Sequence, residues 1–199
     1  VYVEGGGDRK KISDDCRRGF GQLFEKMAPV GQQPKVIACG GRSSAFETFQ
    51  RDYMAGKEGF LILLVDSEGP VGENETAWQY LHNRQHDAWQ QPDGTVEDQA
   101  QLMVQCMESW FLADKEKLKQ YYGQRFLPGS LPGQTNIEEI PKQDVEQALK
   151  HASRNTQKGA YHKTRHGFEL LELLDPARLR AASRRARILF EMLETRSKM

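Results

Sequence analysis

Six consecutive apolar residues, Phe60-Leu-Ile-Leu-Leu-Val65, run directly into Asp66. An unbroken apolar run has no face to offer to water. It is far shorter than the ~20 residues a membrane-spanning helix needs, and it has strand length. A strand that is apolar on both faces belongs inside a parallel sheet covered by helices on both sides. The surroundings are polar, with a mean hydropathy of −0.72. At 199 residues and 38% hydrophobic composition the chain suits one ordinary domain, or one with an appendage. A core of that size needs no disulfide or metal staple.

The residues before this run alternate between two periods. Val1–Val3 is β-rich, and Glu4-Gly-Gly-Gly-Asp8 breaks it, since three glycines sustain neither regular element cheaply. Ser13 is a candidate N-cap, with Asp14 and Asp15 in the first turn, where negative charge suits the helix dipole. Phe20, Leu23, Phe24 and Met27 follow at helical spacing, and Pro29 closes the segment. Residues 35–39 contain a second short strand ended by Gly40-Gly41. Ser43 or Ser44 then caps a helix carrying Phe46, Phe49 and Tyr53. Strand, helix, strand, helix, strand predicts an α/β fold with a mostly parallel, doubly wound sheet.

Beyond Asp66 the expected elements are a helix over 75–83, a turn at Pro92-Asp93-Gly94, and a strand over 102–107. A helix capped by Ser109 then runs to Tyr121. Residues 127–141 hold three of the eight prolines and read as a loop. Helices are expected over 144–153, 167–174 and 183–196. The organisation that follows is an α/β core over 1–125, a linker over 126–143 and a helical C-terminal region over 144–199, packed on the core.

Acidic residues stand at the ends of three expected strands. Glu4 and Asp8 bracket the glycines, Asp66 and Glu68 bracket Ser67, and Glu108 follows 102–107. Ligands of parallel α/β sheets bind beyond the carboxyl ends of the strands, so these acids converge. Converging carboxylates repel unless a cation neutralises them, and Mg²⁺ (or Mn²⁺) takes oxygen ligands and bridges to phosphate. The chemistry such a site supports is metal-assisted attack on a phosphodiester. Taken singly, each motif is equally a surface turn, and Glu108 is equally the start of a helix beside Trp110 and Phe111. The glycines also free backbone N–H groups for phosphate. The Gly-Lys-Ser/Thr ending of a Walker loop is missing, which excludes ATP hydrolysis by that route.

Glu4-Gly-Gly-Gly-Asp8 resembles the opening motif of Toprim domains, and Asp66-Ser67-Glu68 resembles their D-x-D, with Glu in the second place. Such domains occur in topoisomerases, primases, small ribonucleases and the overcoming-lysogenization-defect nucleases. Nearly the whole chain also resembles a bacterial domain-of-unknown-function family with this core, often encoded beside ABC-type ATPases. That resemblance is carried further by Gln105-Cys-Met-Glu-Ser-Trp-Phe111 and Lys158-Gly-Ala-Tyr-His-Lys163. It implies a Mg²⁺-dependent nuclease, the effector of an ATPase-containing anti-phage system. Glu4, Asp8, Asp66, Glu68 and Glu108 would be metal ligands, with Glu4 ligand or base. Lys163 would stabilise the pentacovalent phosphate. The rival expectation is a non-catalytic subunit that binds nucleic acid or the ATPase. A phosphatase acting on a small nucleotide is a third.

The formal net charge of zero is a cancellation. Residues 1–100 carry 11 basic and 16 acidic residues, and residues 101–199 carry 17 and 12. Arg154, Lys158, Lys163 and Arg165, together with His162 and His166, form a basic segment suited to a nucleic-acid backbone. Arg178, Arg180, Arg184, Arg185 and Arg187 form a second, read as a solvated helix face or a contact for an acidic partner.

The remaining chemistry-bearing residues point elsewhere. Three scattered cysteines, Cys16, Cys39 and Cys106, suit a reducing cytoplasm, and Cys39 lacks an activating His nearby. His82/His86 and His162/His166 have the i, i+4 spacing of a zinc pair but no third ligand. The three tryptophans are expected in or near the core. No secretory or transit signal is visible. A start at Val1 without Met predicts a few further residues upstream in the natural chain.

Overall fold

Residues 1–7, 9–27 and 32–196 are described by a computed structural model. The first half alternates β1 (Tyr2–Val3), α1 (Lys10–Glu25), β2 (Ile37–Ala38), α2 (Arg42–Met54) and β3 (Leu63–Asp66). After α3 (Ala77–Asn83) comes β4 (Ala100–Met103), and then a run of 3-10 turns over Met107–Asp114. Five more helices follow: α4 (Lys115–Tyr122), α5 (Lys142–Ser153), α6 (Phe168–Leu173), α7 (Pro176–Ala182) and α8 (Arg184–Arg196). The four strands are all parallel, in the order β2-β1-β3-β4. The fold is α/β, with helices flanking a parallel sheet and dominating the C-terminal part.

The apolar run is continuous because the sheet is covered twice. Val3, Ile62 and Leu64 pack with Phe20, Leu23 and Phe24 of α1. Their neighbours Tyr2, Leu63 and Val65 point the other way, onto Phe46 and Phe49 of α2 and Trp78 of α3. The larger core continues into the C-terminal helices through Val145, Leu149, Phe168, Leu171, Leu189 and Phe190. Trp110 sits between the two halves, with ring centroids 6.4 Å from Phe20 and 6.1 Å from Phe190. Gly19 lets α1 approach α6, since a Cβ there would lie 2.7 Å from the Phe168 carbonyl oxygen. Trp78, Trp89 and Trp110 are all buried. Among the described residues no helix is long and apolar enough to cross a membrane.

Several element ends differ from expectation. Helix α1 begins before Ser13, with Arg9 at its N-cap, and the Ser13 hydroxyl accepts from Arg17 instead. Gly41, not Ser43 or Ser44, precedes α2, and no side chain caps it. The ladder of β4 spans Ala100–Met103, not 102–107, because Gln105 turns to φ 58°. Ser109 lies inside the 3-10 run, and α4 is capped by Asp114, which accepts from Lys117 N–H. Helix α7 was not anticipated; its signal is Asp175-Pro176, a capping acid followed by proline at the first helical position. Residues 127–141 hold two single 3-10 turns, at Pro128–Ser130 and Ile137–Glu139.

Candidate metal centre

The sheet order reverses direction at β1 and β3. From β1 the chain moves to β2 on one side and later to β3 on the other. The crevice beyond the carboxyl ends of two such strands is where parallel α/β sheets bind ligands. Here that crevice is lined with carboxylates. Glu4 directly follows β1, Asp66 ends β3, and Glu68 lies two residues on. One carboxylate oxygen from each of the three falls within 4.8 Å of the others.

The backbone around them is tightly specified. Gly5, Gly6 and Gly7 have φ of 143°, 98° and 51°, and a Cβ would sit 3.0 Å from Cys16 Sγ at Gly5 and 3.0 Å from Ala38 Cβ at Gly6. Gly5 exchanges both backbone hydrogen bonds with Gly40, closing β1 against β2 just below Glu4. On the other side, Glu68 and Gln105 both adopt positive φ, 65° and 58°. Non-glycine residues rarely adopt this conformation unless their surroundings impose it. Glu68 N–H donates to Gln105 O at 2.9 Å, and Gln105 N–H donates to Ser67 Oγ at 2.8 Å. The loops after β3 and β4 are thereby locked together.

Asp66 is 1% exposed. Its Oδ1 accepts from Met107 N–H at 2.7 Å, and its Oδ2 faces Lys163 Nζ at 3.4 Å. Burial, together with Glu4, Glu108 and Glu68, pushes its pKa up to about 7 against the opposing pull of Lys163. Burial also raises Glu4, opposed chiefly by Arg42 and Lys163. Glu4 Oε2 accepts from Asp66 N–H at 3.2 Å, joining the two strand ends. Glu108 is as buried as Asp66. Its Oε1 accepts from the Tyr161 hydroxyl at 3.0 Å, while its Oε2 has no hydrogen-bond partner among the described residues and lies 3.7 Å from Lys163 Nζ.

Lys163 arrives from the far end of the chain, in a π-helical turn spanning Lys163–Gly167 that leads into α6. Burial works against its charge, but Asp66, Glu108 and Glu4 outweigh it and hold the ammonium above the ordinary lysine value. Two further cations flank the acids. Arg42 Nη1 is 3.6 Å from Glu4 Oε2 and also donates to the Asp66 carbonyl. Lys142 Nζ is 2.6 Å from Glu68 Oε2.

Of the expected site residues, Glu4, Asp66 and Glu68 form the triad, and Lys163 and Glu108 adjoin it. Asp8 lies outside the described residues. Arg154, Lys158 and Arg165 are exposed on the segment that leads from the end of α5 through the Lys163 turn. Lys158 Nζ also sits 4.2 Å above the Tyr121 ring. The second arginine group is largely engaged within the fold: Arg184 and Arg185 donate to the carbonyls of Glu73 and Glu75, and Arg180 pairs with Glu194. Cys39 is partly exposed and Cys16 and Cys106 are buried; all three thiols are free.

Sequence reasoning missed Arg42 and Lys142. Arg42 had a signal, since it follows Gly40-Gly41 at the carboxyl end of β2, where site residues gather. Lys142 had none: it opens α5, far along the chain, and only packing brings it to Glu68.

Fold and site define an α/β protein with an acidic, cation-flanked crevice at the switch point of a parallel sheet. The chain belongs to the family described as Domain of unknown function (DUF4276), whose model matches residues 3–194. No curated protein and no solved structure matches it.

Proposed function

We propose that this protein is a Toprim-like, divalent-metal-dependent nuclease that cleaves DNA or RNA phosphodiesters. The observation that carries the reading is the convergence of Glu4, Asp66 and Glu68 within 4.8 Å, with Lys163 against Asp66. The donor set fits the group: three carboxylates offer hard oxygen ligands, and the unbonded Glu108 Oε2 is a fourth acid oxygen beside them. Glu4, Asp66 and Glu68 would hold Mg²⁺ or Mn²⁺, with Asp8 and Glu108 as further ligands. The ion, when bound, supplies Lewis-acid charge and a more acidic water. Glu4 alternatively takes the proton of the attacking water. Lys163 is held charged by its acidic neighbours and offers that charge to the phosphate as negative charge develops. Arg154, Lys158 and Arg165 extend the positive surface along which a nucleic-acid backbone would rest. The role as effector of an ABC-type ATPase in anti-phage defence rests on the family resemblance, and co-purification with that ATPase tests it.

Asp66→Asn keeps the shape and the acceptor for Met107 N–H while removing the charge. It is expected to lower Mn²⁺-dependent cleavage at least about 100-fold, since even residues that only support metal ligands are worth 10–100-fold. The thermal midpoint should change by only a few degrees. Wild-type protein inert on DNA and RNA with either ion, alone and with its ATPase, overturns the reading.

One observation favours the rival, a non-catalytic subunit. Each triad acid already faces a cation of the chain: Arg42 for Glu4, Lys163 for Asp66 and Lys142 for Glu68. Absence of Mn²⁺ binding with retained partner binding would decide for that reading.

A further inference from the structure

The three cations around the acids are not held alike. Arg42 is locked. Its Nε lies 3.0 and 3.1 Å from the two Asp87 carboxylate oxygens, its Nη2 is 2.6 Å from Asp87 Oδ2, and its Nη1 serves the Asp66 carbonyl. Its guanidinium carbon also lies 5.0 Å above the centre of the Trp89 ring. Lys163 has the more exposed side chain, at 44%, but its ammonium faces two buried acids, Asp66 and Glu108, each no more than 2% exposed. Lys142 differs from both. Its backbone is fixed, because its N–H donates to Gln105 Oε1 at 3.1 Å and Gln105 Nε2 donates to Glu138 O at 3.2 Å. Among the described residues its ammonium has a single acidic partner, Glu68, and the two side chains are 28% and 26% exposed. A flexible four-carbon stem on a fixed backbone, paired with one half-buried acid, can swing away at less cost than a cation held by two buried acids or by a guanidinium fork.

From this contrast we propose that Lys142 is an exchangeable counter-ion: it occupies Glu68 when the site holds no divalent ion, and it leaves Glu68 when one binds. The inference rests on the metal-site reading above and adds to it how the seat is kept neutral and how it opens. Three carboxylate oxygens within 4.8 Å repel one another in a partly buried crevice. Arg42 and Lys163 cover Glu4 and Asp66, and Glu68 is left to Lys142. A divalent ion taking Glu68 makes the ammonium redundant there and repels it. The chain thus sets its own threshold for metal, because binding must displace one internal cation.

The test is titration of the full chain with Mn²⁺ alone, by calorimetry, in wild type, Lys142→Met and Lys142→Arg. Lys142→Met keeps the stem and removes the charge. It should bind Mn²⁺ at least about tenfold more tightly, since a unit charge a few ångströms from a ligand oxygen is removed. Lys142→Arg retains the charge and should stay near wild type. Thermal unfolding gives a second readout: the gain in midpoint on adding Mn²⁺ should be larger in Lys142→Met than in wild type. Equal or weaker Mn²⁺ affinity in Lys142→Met, with wild type binding the ion, overturns the exchange and leaves the metal site standing. Failure of both wild type and Lys142→Met to bind Mn²⁺ overturns the metal site and the exchange with it.

Discussion

Arg42 ties together more of the site than any carboxylate does. One guanidinium reaches Glu4 after β1, the carbonyl of Asp66 at the end of β3, and Asp87 beyond α3. The Asp87 side chain is only 4% exposed and keeps a second partner in Arg84 Nη1 at 2.9 Å, but Arg42 makes the other three of its four hydrogen bonds, so losing Arg42 strips most of its compensation. Burial raises the pKa of Asp87, but the two arginines outweigh it and hold the carboxyl below its usual range. A charge-assisted hydrogen bond of this kind contributes about 1.5–3 kcal/mol. Arg42→Met should therefore destabilise by about 2–3 kcal/mol, or roughly 5–10 °C for a chain of this size. Thermal melts check the number. Arg42→Lys should recover only part of it, because an ammonium cannot reproduce the fork on Asp87.

The turn that carries Lys163 is anchored by its neighbours in the chain. Tyr161 N–H donates to Ser153 Oγ at 2.7 Å, and the Tyr161 hydroxyl reaches Glu108. Gly167 admits Tyr161, whose hydroxyl would lie 3.1 Å from a Cβ there. His166 closes the turn: its Nδ1 accepts from His162 N–H at 3.2 Å and lies 3.2 Å from the Tyr122 hydroxyl. An imidazolium would carry a proton on Nδ1 and lose the backbone bond. Burial first, and Arg165 next, lower the His166 pKa below its ordinary 6.5. A folded value below the unfolded one means that His166 contributes stability in full above about pH 6.5. That contribution is lost as pH falls from there through the lower folded value. Melting midpoints measured between pH 8 and 5 should fall less steeply in His166→Gln than in wild type. Parallel slopes would remove His166 from the account.

Across the whole molecule, the C-terminal helices complete the core that the sheet begins. Val145, Leu149, Phe168, Leu171, Leu189 and Phe190 pack in one cluster with Val3, Leu64, Phe20 and Trp110. Burying six such side chains contributes about 9–18 kcal/mol at ~1.5–3 kcal/mol each. That is as large as the whole net stability of a typical domain, about 5–15 kcal/mol. A fragment of residues 1–143 should therefore show no cooperative urea transition by circular dichroism. The full chain should show one, and a cooperative transition in the fragment would place the fold's stability in the α/β half alone. The same packing brings Lys163 and Lys142 to acids more than 70 residues earlier in the chain. An acidic first half and a basic second half thus meet at one crevice.

The apolar run ending at Asp66, the glycines after Glu4 and the alternation of periods determined the α/β class. They also determined that acids gather at strand ends, because both are local consequences of burial and chain direction. The sequence did not reveal where pairing stops, since the strands are two to four residues long and end where their partners turn away. Gln105 shows this: its φ of 58° answers to Ser67 and Lys142, not to its own neighbours in the chain. The cationic frame was equally illegible. Lys142 is an ordinary first-turn lysine until α5 docks, and Arg42 is an ordinary helix-start arginine until Asp87 and Trp89 arrive. The acids follow strand ends and could be read from the chain. Their counter-ions come from elements brought together by the core, so only the tertiary structure decided which charge answers which.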